Sequence, residues 1–153
     1  MFKKVFSFIA VLFLLTSCGY TPMFSNLEKN NIFIEIQNVE GDRTINNLIK
    51  NRLLQYQKNI NAEKKYKIEI LSDYNKLIIT KDAAGVITNY RLTADVSFKI
   101  NYNDSLKTII FKEKFDIKKG DSLFEEQNYE NLIKQDIADL IVQKFIFQLL
   151  SIK

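Results

Sequence analysis

Histidine is absent from the chain and cysteine occurs once, at Cys18. The first absence removes the side chain that most often acts as a general base near neutral pH. Together the two remove the commonest ligands of a zinc-type metal centre. A single cysteine also allows no intrachain disulfide. Glycine (4) and proline (1) are scarce, which argues against a loop-rich or repeat-built chain. Gly41, Gly85 and Gly120 stand singly at turns, so no glycine-rich phosphate loop is present. Arginine is confined to Arg43, Arg52 and Arg91, which is poor equipment for nucleic acid. There is no internal repeat and no low-complexity block.

The first stretch is the most informative. Lys3 and Lys4 precede an apolar run from Val5 to Leu15, and small residues follow at Thr16 and Ser17. This is the pattern of a secretory signal. The run is too short to span the bilayer as a helix, which takes roughly 20 apolar residues. Leu15-Thr16-Ser17-Cys18 resembles the bacterial lipobox. The resemblance implies cleavage between Ser17 and Cys18, and lipidation of Cys18 as the first mature residue. The expected organisation is a signal peptide at 1–17, a lipidated N-terminus and tether at 18–31, and one domain at 32–153. Without residues 1–17 the 22 basic side chains fall to 20, against 18 acidic, so the mature charge is near +2. That is weak support for a polyanion partner. A mature chain of this size buries about two-thirds of its unfolded surface and needs no covalent staple.

Periodicity then orders the domain. Ile32, Ile34 and Ile36 share one face of a strand over Ile32–Val39. Glu40-Gly41-Asp42 reads as a turn, with Asp42 placed to cap a helix from Arg43 to about Asn59. That helix has an apolar face of Ile45, Leu48, Ile49, Leu53 and Tyr56, with Asn46 on its polar side. A three-strand meander follows. Tyr66, Ile68 and Ile70 alternate, the phase is lost near Ser72–Asn75, and a bulge or break is expected there. Asp82–Gly85 is a hairpin connection with glycine where positive φ is needed. From Val86 to Tyr102 strict alternation marks an antiparallel strand with one covered face. Asn103-Asp104-Ser105 turns the chain into a strand carrying Ile109, Phe111, Phe115 and Ile117. A helix over about Glu126–Leu150 closes the domain, its stripe running Tyr129, Leu132, Ile133, Ile137, Leu140, Ile141, Phe145 and Leu149. Val142, Ile146, Phe147 and Leu150 fall off that stripe. They either wedge into the core or form an apolar patch that docks a partner. The order β-α-β-β-β-α gives an α+β two-layer sandwich, two helices on one face of a four-stranded mixed sheet.

Chemistry is hard to place on this frame. Glu125/Glu126 and Asp136/Asp139 read as solvated helix charges, and no serine has a histidine to activate it. Lys76, Lys81, Arg91 and Lys99 lie on the meander. They are either solubilising, edge-protecting cations or contacts for phosphates of an anionic glycolipid.

Cys18-Gly19-Tyr20-Thr21-Pro22 after the signal is similar to the mature start of the lipopolysaccharide-assembly lipoproteins, the LptE family. The stretch Asp82–Thr93 (DAAGVITNYRLT) looks like that family's turn and long strand. Asn128-Tyr129 before the terminal helix is similar too. The likeness spans nearly all of residues 18–150 in the order and spacing of short motifs. It implies a non-enzymatic outer-membrane lipoprotein that plugs the LptD β-barrel, helps it assemble, and assists delivery of lipopolysaccharide to the outer leaflet. It also implies N-acyl and S-diacylglycerol chains on Cys18, no other cofactor or metal, and a periplasm-facing, lipid-anchored location. Gly19, where an inner-membrane retention signal would have aspartate, agrees with outer-membrane sorting. Lipopolysaccharide contact would fall to Lys81, Arg91, Lys76 and Lys99, although Asp82-Ala83-Ala84 puts no basic residue at the hairpin tip. The alternative is a free periplasm-facing lipoprotein that binds an amphiphile or a cell-wall component in an apolar cavity.

Overall fold

The computed structural model describes residues 31–58 and 60–151. The signal segment, Ser17, Cys18 and the tether up to residue 30 lie outside them. Strand β1 (Ile32–Gly41) leads into helix α1 (Arg43–Leu53), which tightens into a 3-10 turn at Leu54–Gln57. Strands β2 (Lys64–Lys81), β3 (Ile87–Tyr102) and β4 (Ser105–Lys118) follow, then helix α2 (Leu123–Leu150). The sheet order is β1-β2-β3-β4. β1 runs parallel to β2, as its helical crossover permits, and the other pairs are antiparallel. Both helices lie on one face of this mixed sheet, so the expected α+β sandwich is the observed one.

The parallel step is stitched at one point. Asp42 caps α1, its Oδ1 accepting the Ile45 amide at 2.8 Å. The Asp42 amide itself donates to the Ser72 carbonyl at 3.1 Å. Gly41 pairs with Ser72 at φ +98°, and a Cβ there would lie 1.7 Å from the Ser72 carbonyl oxygen. Only glycine fits such an approach. Glu40 and Gly41 thus belong to β1 rather than to a turn. Asn46, expected on the polar side of α1, is buried because its amide nitrogen donates to the Glu40 carbonyl at 2.9 Å.

The hairpins follow their turn chemistry. Asp82 Oδ1 accepts the amides of Ala84 and Val86, and Gly85 takes φ +82°. Asn103 and Asp104 both adopt positive φ, the two-residue geometry that matches strand twist.

The core fills the space between the layers. Ile34, Tyr66, Ile68, Ile70, Leu92, Val96 and Phe98 point up from the sheet. Ile45, Ile49 and Leu53 of α1 and Ile137, Ile141, Phe145 and Leu149 of α2 meet them. Phe98 stacks on Phe145 with ring centroids 3.9 Å apart. Val142 and Ile146 are buried, so the apolar end of α2 is chiefly core. Tyr129 and Leu132 are exposed instead, because the buried stripe of α2 starts only at Ile133.

There is no break at Ser72–Asn75: β2 pairs with β3 in continuous register from Lys67 to Ile78, and the irregularities come at Ile78–Lys81. The alternation never lost its phase. Ser72, Tyr74 and Lys76 keep the inward positions but face polar groups, so their chemistry changes while their direction does not.

Candidate functional site

Two surfaces carry the polar chemistry. The first lies under the start of α2. Tyr74 and Lys76 reach it from alternate inward positions of β2, and Tyr90 from β3. Glu126, Glu130 and Lys134 reach it from successive turns of α2, a spacing of four that puts them on one side of the helix. Lys76 Nζ donates to Glu126 at 2.6 Å and to Glu130 at 2.9 Å. The Tyr74 hydroxyl donates to Glu130 at 3.0 Å, and Lys134 pairs with the same carboxylate at 2.9 Å. Each lysine also sits over a ring, Lys76 over Tyr90 and Lys134 over Tyr74, both 4.3 Å from the centroid.

The electrostatics follow from that packing. Burial works against an ionised Glu130, but hydrogen bonds from Lys134, Lys76 and Tyr74 more than offset it. Its pKa falls to about 2. Burial likewise opposes the charge on Lys76, and its bonds to Glu126 and Glu130 reverse that, raising its pKa. Burial, then the bond to Glu130, pushes the Tyr74 phenol up. Three donors thus converge on the Glu130 carboxylate and favour its ionised form.

The second surface is the sheet face that no described element covers. Its side chains pair across strands. Arg91 grips Asp116 through two bonds at 2.7 and 2.8 Å, which holds the Asp116 carboxyl below its usual range. Lys112 meets Asp95 at 3.0 Å, and Lys99 lies 3.5 Å from Glu69. Leu71, Leu77, Leu106 and Ile110 add exposed apolar groups. A cleft of about 250 Å³ opens at one end, between Phe33, Lys65, Lys67, Asn101 and Asp104.

The four candidate lipopolysaccharide contacts do not form one cluster. Lys76 is on the helix-covered face, bound to two glutamates. Arg91 and Lys99 are on the uncovered face, eight residues or ~27 Å apart along β3. Lys81 is exposed at the end of β2, beside the Asp82 turn. Glu126 and Asp139, read from sequence as solvated, are both engaged, Asp139 by Arg52 of α1. Glu130, Lys134 and Tyr74 were not singled out by the sequence. Their signal was available: three charged residues four apart on α2, opposite a polar inward stretch of β2.

Among the described residues no helix is long and apolar enough to cross a membrane. No protein-family model matches the chain, and no curated protein matches its sequence. Solved structures do share its shape. Rare lipoprotein B of Shewanella oneidensis superposes with a TM-score of 0.59 at 12% identity, over 79% of this chain and 98% of that one. A candidate lipoprotein of Caulobacter crescentus gives 0.52 at 15% identity, over 84% of this chain and 98% of that one. At such identities the likeness concerns architecture. The chain has a fold that also occurs in a bacterial lipoprotein.

Proposed function

We propose that the protein is a lipid-anchored outer-membrane lipoprotein whose domain seats inside an LptD-type β-barrel. There it helps the barrel to assemble and assists passage of lipopolysaccharide to the outer leaflet, by binding rather than by covalent catalysis. Acyl chains on Cys18 hold it at the periplasmic face. The observation that supports this best is the uncovered sheet face, four strands wide and dressed with cross-strand ion pairs. Strands of this length at 4.8 Å spacing present roughly 900 Å². A standard interface uses about 800 Å² from each partner. Polar, charge-paired side chains suit the lumen of a large barrel, which is itself polar. The likeness of the Cys18–Pro22, Asp82–Thr93 and Asn128-Tyr129 stretches to lipopolysaccharide-assembly lipoproteins points the same way.

A free amphiphile-binding lipoprotein would need an apolar chamber between helices and sheet. The stacked Phe98 and Phe145 and the buried Tyr66 fill the middle of that space, and the groove of about 400 Å³ between Phe111 of β4 and Leu140 and Phe147 of α2 is open at its edge, which favours the plug. Affinity capture of the full chain from detergent-solubilised membranes tests the reading. An integral outer-membrane barrel is expected in stoichiometric yield. Recovery of soluble periplasmic proteins alone would count against it.

A further inference from the structure

The first ten residues of α2 are inside out. Glu126 and Glu130 face the sheet, while Leu123, Phe124, Tyr129 and Leu132 are 72%, 72%, 49% and 56% exposed. Buried residues begin at Ile133 and recur to Leu149. Apolar burial, the main source of helix docking, therefore acts only on the later part. A helical segment of about three turns is marginal by itself in water. What holds this one to the sheet is a small set of polar contacts. They run from Lys76 to Glu126 and Glu130, and from the Tyr74 hydroxyl to Glu130. All of them end on two side chains of β2. Ion pairs and hydrogen bonds of this kind are few here and act at single points, unlike the continuous apolar burial that holds the later turns. The opening free energy of a local segment is set by such contacts, not by the global stability.

We propose that Leu123–Leu132 is an electrostatically latched strap, which lifts from the sheet as a unit about Ile133 while the rest of α2 stays packed. Its other end adjoins the short link from Lys119 to Asp121, where Lys119 donates to the Thr88 carbonyl, Gly120 lies close against the Glu126 backbone, and Ser122 caps α2 locally. Closed, the two carboxylates neutralise Lys76, and Glu130 also accepts the Tyr74 hydroxyl. Open, the same patch of sheet presents a lysine against an aromatic ring. The four exposed apolar residues move with the strap, so opening re-aims them without disturbing the core.

Amide hydrogen exchange on the full chain in detergent micelles, at neutral pH and low salt, reads the strap directly. Amides 127–132 are expected to exchange at least about tenfold faster than amides 137–149 in the unaltered protein. In Glu126→Gln/Glu130→Gln the first set speeds up by about tenfold again while the second is unchanged. Lys76→Met, which cuts the latch from the sheet side, gives the same pattern. Arg52→Gln, which removes the ion pair to Asp139 farther along α2, leaves amides 127–132 alone. Exchange of α2 as a single unit in the unaltered protein would overturn the strap. So would equal acceleration of both halves in the latch variants, or no change in either.

Discussion

Replacing Gly41 by alanine is the sharpest single perturbation of the fold. The added Cβ would meet the Ser72 carbonyl oxygen at 1.7 Å and its carbon at 2.8 Å. Both are backbone atoms of a paired strand, so no side chain can swing away. Relief requires β1 to move by more than 1 Å from β2, which breaks the Asp42 amide bond to the Ser72 carbonyl. A non-glycine residue at positive φ costs roughly 1–2 kcal/mol. The lost hydrogen bond adds about 1 kcal/mol, and the displaced strand pairing adds more. Together these come to ~3–4 kcal/mol. With a urea dependence of about 2 kcal/mol per molar, the unfolding midpoint should drop by roughly 1.5–2 M. Gly85→Ala is the internal reference. It shares the positive φ, +82°, but has nothing within 4 Å of the new Cβ. Only the conformational part applies, so its midpoint should fall by about 0.5–1 M. Equal shifts in the two variants would refute the close-approach account of Gly41.

Other consequences are as direct. Phe98→Ala removes the ring stacked on Phe145 at the centre of the interlayer, and chemical denaturation should show a loss of about 3–5 kcal/mol. A loss under 1 kcal/mol would mean the layers are not packed through that pair. Carboxyl-resolved NMR titration should place Glu130 near 2, below its usual 4.5. Because the folded value is the lower one, its contribution to stability is present in full above about pH 4.5. That contribution fades as pH falls toward 2. In Lys76→Met the Glu130 midpoint should rise, since one of the bonds that depress it is gone. An unchanged midpoint would show that Lys76 does not reach the carboxylate in solution.

Much of the architecture was readable because burial wrote a period into the chain. Leu92 to Ile100 alternate without exception, and the buried face of α1 follows Ile45, Ile49 and Leu53, with Asn46 added by its bond to the Glu40 carbonyl. The Asp82 turn and the Asp42 cap were readable from local chemistry. The misread phase of β2 and the misplaced stripe of α2 share one physical cause. Apolar periodicity reports direction only where the facing layer is apolar. At Ser72, Tyr74 and Lys76 the strand keeps its phase but faces Asp42, Glu126 and Glu130, so it looked broken. In α2 the same effect misplaced the stripe. Tyr129 and Leu132 are apolar and outward, while Glu126 and Glu130 are charged and inward. The lysine candidates were a list of cations along a meander. Strand parity, which puts Lys76 on one face and Arg91 and Lys99 on the other, divides them into different surroundings.

In the proposed function the uncovered sheet face lies against the inner wall of a barrel. Site-specific photo-cross-linking in intact cells tests it, with the reactive group at Ser97 or Lys112 on that face and at Asn131 on the exposed side of α2. Seating of that face in a barrel predicts covalent adducts from the sheet positions to an integral outer-membrane β-barrel of the LptD type. Adducts from Ser97 and Lys112 only to soluble periplasmic proteins, or none at all, would contradict it.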